Sequence, residues 1–171
     1  QEQSQGPARP TERVTKECYP YAHKLDSLAK ACNPGVKVIF YMTWSHKGGN
    51  RQDISPAYPL IQSYDGMQLR LATSYLEMAY DNGSLCAPVG LAWQKVLKES
   101  PWVELYKPDG QHPSQAGSYL AASTILTVIL GRPVESSFDG GLGHDVSVYL
   151  QKTASDTVLS SPETFNLHTG E

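Results

Sequence analysis

An α/β fold built around a parallel sheet is the class this sequence predicts, and three observations predict it. Two short runs, residues 36–42 (VKVIFYM) and 85–89 (LCAPV), are nearly continuously apolar, as strands covered on both faces have to be. Around them lie longer segments whose apolar residues recur every three or four positions, the helical period. Turn chemistry stands between the two kinds of segment, at Asn33-Pro34-Gly35 and at Asp81-Asn82-Gly83. Helix alternating with buried strand is the pattern of a parallel sheet.

Taken in order, residues 1–12 are polar, carry Pro7 and Pro10, and read as loop. Tyr21, Leu25, Leu28, Ala29 and Cys32 step by three and four, which predicts one helix over 13–32, stopped by Asn33-Pro34-Gly35. The first strand follows at 36–42. Residues 43–58 read as loop, since Gly48-Gly49-Asn50 is flexible and Pro56 and Pro59 bar regular structure. A helix over 60–80 carries Leu60, Ile61, Tyr64, Met67, Leu71, Tyr75, Met78 and Ala79 on one stripe. The second strand, 85–89, leads straight into a helix over 90–99, and 102–106 reads as a short extended piece. The helix expected over 113–130 contains no charged residue and is expected to be buried on most sides; Gly131 and Pro133 stop it. After the turn at Gly140-Gly141-Leu142-Gly143 a last helix is expected over 145–159, and the tail 160–171 is expected to fray. Residues 1–159 form one domain in this reading. Two strands are too few to make a stable sheet for so many helices, so the parallel sheet is expected to be incomplete, its missing strands lying N-terminal to a chain that begins Gln1-Glu2-Gln3-Ser4 without an initiator Met.

Composition narrows the function. The chain has 171 residues, 40% hydrophobic and 18% charged, a globular balance. Fourteen basic against 17 acidic side chains leave a net charge of −3. That balance excludes a dedicated nucleic-acid binder, which needs a positive excess to displace counterions from phosphates. No apolar run approaches the roughly 20 residues that cross a bilayer, so no membrane span is expected. Cys18, Cys32 and Cys86 form no CxxC pair; Cys18 and Cys32 either pair or are buried thiols. His23, His46, His144 and His168 are scattered without ligand spacing, and neither a metal nor a cofactor is expected. Trp93 and Trp102 read as packing residues.

The sharpest chemical signal is Leu105-Tyr106-Lys107-Pro108-Asp109-Gly110-Gln111-His112-Pro113-Ser114. Asp109 and His112 are three apart on a turn tightened by Pro108 and Gly110, immediately before the uncharged helix. The spacing lets the carboxylate accept from one imidazole nitrogen while the other faces a cleft, which fixes the tautomer and stabilises the imidazolium formed when His112 takes a proton. A bare D-x-x-H is common, and the bland alternative is a turn-forming Asp with a helix-capping His. Trp44, directly after the first strand, lies at the strand end where open α/β sheets bind ligands and is expected to wall a substrate pocket.

Asp109-Gly110-Gln111-His112-Pro113-Ser114, running on into Gly117-Ser118-Tyr119-Leu120-Ala121-Ala122, resembles the last block of the SGNH (GDSL-like) hydrolases, in which an Asp and a His three apart complete a Ser-His-Asp triad. Gln1-Glu2-Gln3-Ser4 near Pro7, Tyr41-Met42-Thr43-Trp44 and Ala87-Pro88-Val89-Gly90-Leu91-Ala92-Trp93 extend the likeness, which runs to about residue 133 and is nearest to a little-characterised bacterial branch. The resemblance implies a three-layer α/β/α, flavodoxin-like fold and ester hydrolysis through an acyl-enzyme, with His112 as base and acid and Asp109 orienting it. Gln3 falls where the family places an oxyanion-hole amide. The family carries its nucleophilic Ser after an N-terminal strand that this sequence does not contain. The chain is therefore expected to supply the Asp and His of such a domain but not its nucleophile, and to be inactive alone. The implied partner is a small-molecule or carbohydrate ester. Two rivals stand beside this reading: a non-catalytic binding module on the same scaffold, for instance for a glycan, and an α/β interaction domain whose D-x-x-H only caps a helix.

Overall fold

The computed structural model describes residues 6–50 and 58–167. Helices Thr11–Glu17 (α1) and Tyr19–Cys32 (α2) precede strand Ile39–Tyr41 (β1). A 3₁₀ turn, Pro59–Gln62, leads into helix Tyr64–Asp81 (α3), followed by strand Leu85–Ala87 (β2) and helix Val89–Glu99 (α4). Helices Gln115–Leu130 (α5) and His144–Leu159 (α6) complete the framework, and a 3₁₀ turn at Pro162–Phe165 follows α6. The protein is mixed α/β, mostly helical, with a small parallel sheet.

The single helix expected over 13–32 is two. Pro20 is in the first turn of α2, where its missing N–H is tolerated; farther inside a continuous helix it would break the ladder and crowd the carbonyl four residues back. Cys18 takes the joint between them. Cys18 and Cys32 stand at opposite ends of the 14-residue α2, roughly 20 Å apart along its axis, so the helix itself keeps them from pairing.

β1 and β2 run parallel, with Ile39 beside Leu85, Phe40 beside Cys86 and Tyr41 beside Ala87. Both are shorter than the apolar runs that predicted them; Pro88, without an N–H, ends β2 and opens α4. Alternation sorts the side chains onto two faces. Phe40, Met42 and Cys86 join the cluster formed with Met67, Leu71, Tyr75 and Met78 of α3. On the other face Tyr41 packs with the cluster that includes Trp93, Leu105 and Leu120, and Ile39, Leu85 and Ala87 pack with Val128 and Val158. Helices thus cover both faces, which is why the strand sequences read as apolar throughout. Leu85 N donates to the Val38 carbonyl and Met42 N to that of Ala87, each at 3.0 Å. Val38 and Met42 therefore face β2, while the backbones of Ile39 and Tyr41 turn the other way.

The segment 160–167 does not fray. Phe165 is buried with Met42 and the α3 residues, and Leu167 with Ala87 and Val128. Between them Asn166, at φ +54°, donates through Nδ2 to the carbonyls of Ala79 (3.2 Å) and Ser84 (2.8 Å). Two apolar side chains and one amide fasten the tail beside β2. Trp102 also departs from expectation: it is 70% exposed, whereas Trp93 is fully buried. No helix among the described residues is long and apolar enough to cross a membrane.

Candidate active site

The Asp109 turn is built locally. Gly110 takes φ +68°, its N–H reaches the Lys107 carbonyl at 2.9 Å, and Lys107 N closes the loop onto the His112 carbonyl at 2.8 Å. Asp109 Oδ1 accepts from the backbone N–H of Gln111 and of His112, each at 2.9 Å. Its second oxygen, Oδ2, lies 2.6 Å from His112 Nδ1. One carboxylate thus holds three nitrogens. The Gln111 N–H, then the imidazole, then the His112 N–H favour its ionised form and hold its pKa down at about 2.

An ionised carboxylate only accepts, so Nδ1 carries the proton and neutral His112 presents a lone pair at Nε2. The imidazole side chain is 72% exposed, and no described residue hydrogen-bonds Nε2. Ser114, two residues on, caps α5: its Oγ accepts from Gly117 N at 3.1 Å and donates to the Glu104 carbonyl at 2.7 Å.

The turn is mounted on the loop that leaves the carboxyl end of β1. Trp44 Nε1 donates to the Gln111 carbonyl at 2.9 Å, and Lys47 N donates to the Gly110 carbonyl at 2.8 Å. Trp44 therefore stands beside the His112 turn. Its indole stacks on Trp93 with centroids 4.1 Å apart and planes 6° from parallel, and Trp93 meets Tyr106 edge-on at 5.2 Å. Such pairs add about 0.5–1.5 kcal/mol beyond their burial and fix ring orientation. Ser45 is fully buried, and its Oγ donates to the His46 carbonyl at 3.0 Å. Gln3 lies outside the described residues, as does Ser4.

No family model, no curated protein and no solved structure matches the chain. What the site can do rests on its own geometry: a carboxylate-oriented imidazole is a proton acceptor and donor for a neighbouring hydroxyl or water.

Four supporting residues escaped the sequence reading. Tyr106 Oη donates to the Ser45 carbonyl at 2.6 Å, and Gln68 Oε1 accepts from Ser45 N at 2.9 Å. Glu104 accepts from Lys47 Nζ at 2.7 Å and from Tyr106 N at 3.0 Å, bonds that hold its carboxyl below the usual range, the Lys47 bond most of all. Lys47 Nζ also lies 5.9 Å from the centre of the Tyr106 ring. For Gln68 a signal was present: a lone amide on the apolar stripe of α3, four residues from Tyr64 and three from Leu71. For Glu104 and Lys47, 57 residues apart, there was none.

Proposed function

We propose that this chain carries the acid–base half of a Ser-His-Asp hydrolytic site on a three-layer α/β/α, flavodoxin-like SGNH scaffold whose substrate is a small-molecule or carbohydrate ester. The observation that carries the reading is the 2.6 Å contact of Asp109 Oδ2 with His112 Nδ1, on an imidazole side chain that is itself largely exposed. In the reaction, Nε2 takes the proton of the attacking hydroxyl as its oxygen bonds to the ester carbon. Asp109 stabilises the imidazolium, and the same proton passes to the departing alcohol as the tetrahedral intermediate collapses. Deacylation repeats the sequence with water as the nucleophile. In this reading the attacking serine lies outside the described residues: no described hydroxyl hydrogen-bonds Nε2, and those of Ser45 and Ser114 donate to backbone carbonyls instead. Trp44, fixed by its N–H and by Trp93, forms a rigid wall beside the base.

The test is turnover of short acyl esters and acetylated sugars by the natural polypeptide that carries this sequence, with mapping of the serine labelled by a fluorophosphonate. His112→Ala is expected to remove nearly all turnover, and Asp109→Asn to cost up to about 10⁴-fold through the wrong tautomer. Turnover unaffected by His112→Ala overturns the reading. The absence of any described hydroxyl on Nε2 favours a second reading, a non-catalytic binding module for glycans on the same scaffold. It predicts no labelled serine and no turnover, with sugar binding that depends on Trp44.

A further inference from the structure

We propose that Gln68 and Tyr106 are positioning residues, clamping the Ser45 peptide from both ends so that Trp44 and the Asp109–His112 turn are held in register. The catalytic consequence rests on the hydrolase reading of His112; the clamp itself does not.

Ser45 is fully buried, and both polar groups of its backbone are taken by side chains from elsewhere in the fold. Its N–H goes to Gln68 on α3, and its carbonyl receives the Tyr106 hydroxyl from the segment before α5. Trp44, just before Ser45, and Lys47, two residues after it, each hold the catalytic turn, Trp44 through its indole N–H to Gln111 and Lys47 through its backbone N–H to Gly110. A displacement of the Ser45 peptide therefore moves both donors that hold the carbonyls of Gly110 and Gln111, two residues and one residue before His112.

Two further features argue that Gln68 is there for this bond rather than for packing. Gln68 is 1% exposed, yet its buried Nε2 has no hydrogen-bond partner among the described residues, a costly state that leucine or methionine would avoid. The neighbouring helix also makes room for the amide: a Cβ on Gly90 would lie 2.3 Å from Gln68 Nε2 and 2.3 Å from the Thr43 carbonyl oxygen. Both features are accounted for if the acceptor Oε1 is what the position requires.

The experiment is NMR on the full chain, reading hydrogen exchange of the Trp44 indole N–H and the titration of the Asp109 carboxyl carbon. Tyr106→Phe and Gln68→Met each remove one end of the clamp. In either variant the Trp44 proton is expected to exchange at least tenfold faster. The Asp109 midpoint is expected to rise from about 2 toward the ordinary value near 3.9. Gln68→Glu keeps an acceptor oxygen for Ser45 N–H and is expected to preserve the slow exchange. Wild-type values of both readouts in folded Tyr106→Phe and Gln68→Met overturn the proposal. Acceleration at Trp44 without movement at Asp109 overturns the coupling to the turn, and equal loosening by Gln68→Glu reduces Gln68 to packing. Should Gln68→Met fail to fold, Tyr106→Phe, which removes a single oxygen, decides alone. Ester turnover that proves independent of His112 would defeat the hydrolase reading and leave these readouts untouched.

Discussion

Gly117 lies where α5 comes closest to the aromatic stack, and replacing it with alanine tests the packing that supports the site. A Cβ at Gly117 would lie 2.3 Å from the Leu105 carbonyl oxygen and 2.4 Å from Trp93 Cη2, more than 1 Å inside ordinary contact distance. Neither neighbour is able to give way. The Leu105 carbonyl accepts Ser114 N at 2.8 Å, immediately before α5 begins, and Trp93 is fully buried between Trp44 and Tyr106. Alanine's helix preference offsets about 1 kcal/mol of the cost. Overpacking costs typically about 1–3 kcal/mol and sometimes more; two rigid overlaps belong at or above the top of that range. The expected net destabilisation is about 2–3 kcal/mol, or roughly 4–12 °C in Tm for a chain of this size. Urea unfolding gives the free energy, and near-UV circular dichroism reports the Trp44–Trp93 stack, which should change with it. Gly48→Ala is the control: a Cβ there meets nothing within 4 Å, so stability should stay within about 0.5 kcal/mol. A Gly117→Ala protein as stable as the parent, with the tryptophan signal intact, would refute the packing argument.

Two other expectations follow from the Asp109 turn and the Phe165 tail. The folded-state pKa of Asp109 is depressed to about 2, so its contribution to stability is complete above its unfolded value near 3.9 and is lost as pH falls toward 2. The Tm of the parent should therefore drop more between pH 5 and pH 2 than that of Asp109→Asn; parallel curves would show that the carboxylate is not held in the folded state. Phe165 is 3% exposed, and Phe165→Ala should cost about 3–5 kcal/mol by urea unfolding, whereas a tail that frayed would register no change.

What the sequence made legible is what depends on near neighbours along the chain. The six helices among the described residues, apart from the break at Cys18 just before Pro20, follow from apolar spacing and from stop residues such as Gly131, which takes the left-handed conformation at φ +63°. The Asp109–His112 contact is likewise local, three residues around a glycine turn. Illegible were the partners that folding alone brings together. Trp44 is 67 residues from Gln111, Tyr106 is 61 from Ser45, and Gln68 is 23 from Ser45. The tail was misjudged for the same reason: nothing near Phe165 in the sequence indicates that Met42 and the α3 side chains are waiting to cover it.

That division bears on which reading of the site is stronger. An aspartate that merely shapes a turn needs one oxygen, and Oδ1 does that work with the N–H groups of Gln111 and His112. The second oxygen on Nδ1 orients a ring that is itself largely exposed and contributes little to the core. A helix-capping role is already filled by Ser114, whose hydroxyl takes Gly117 N. The loop from β1 then holds the carbonyls of both Gly110 and Gln111, more restraint than a surface turn requires. Order of this kind around an exposed imidazole has a physical use if the ring must meet a proton at a fixed position, and that is the ground on which acid–base chemistry is preferred to capping.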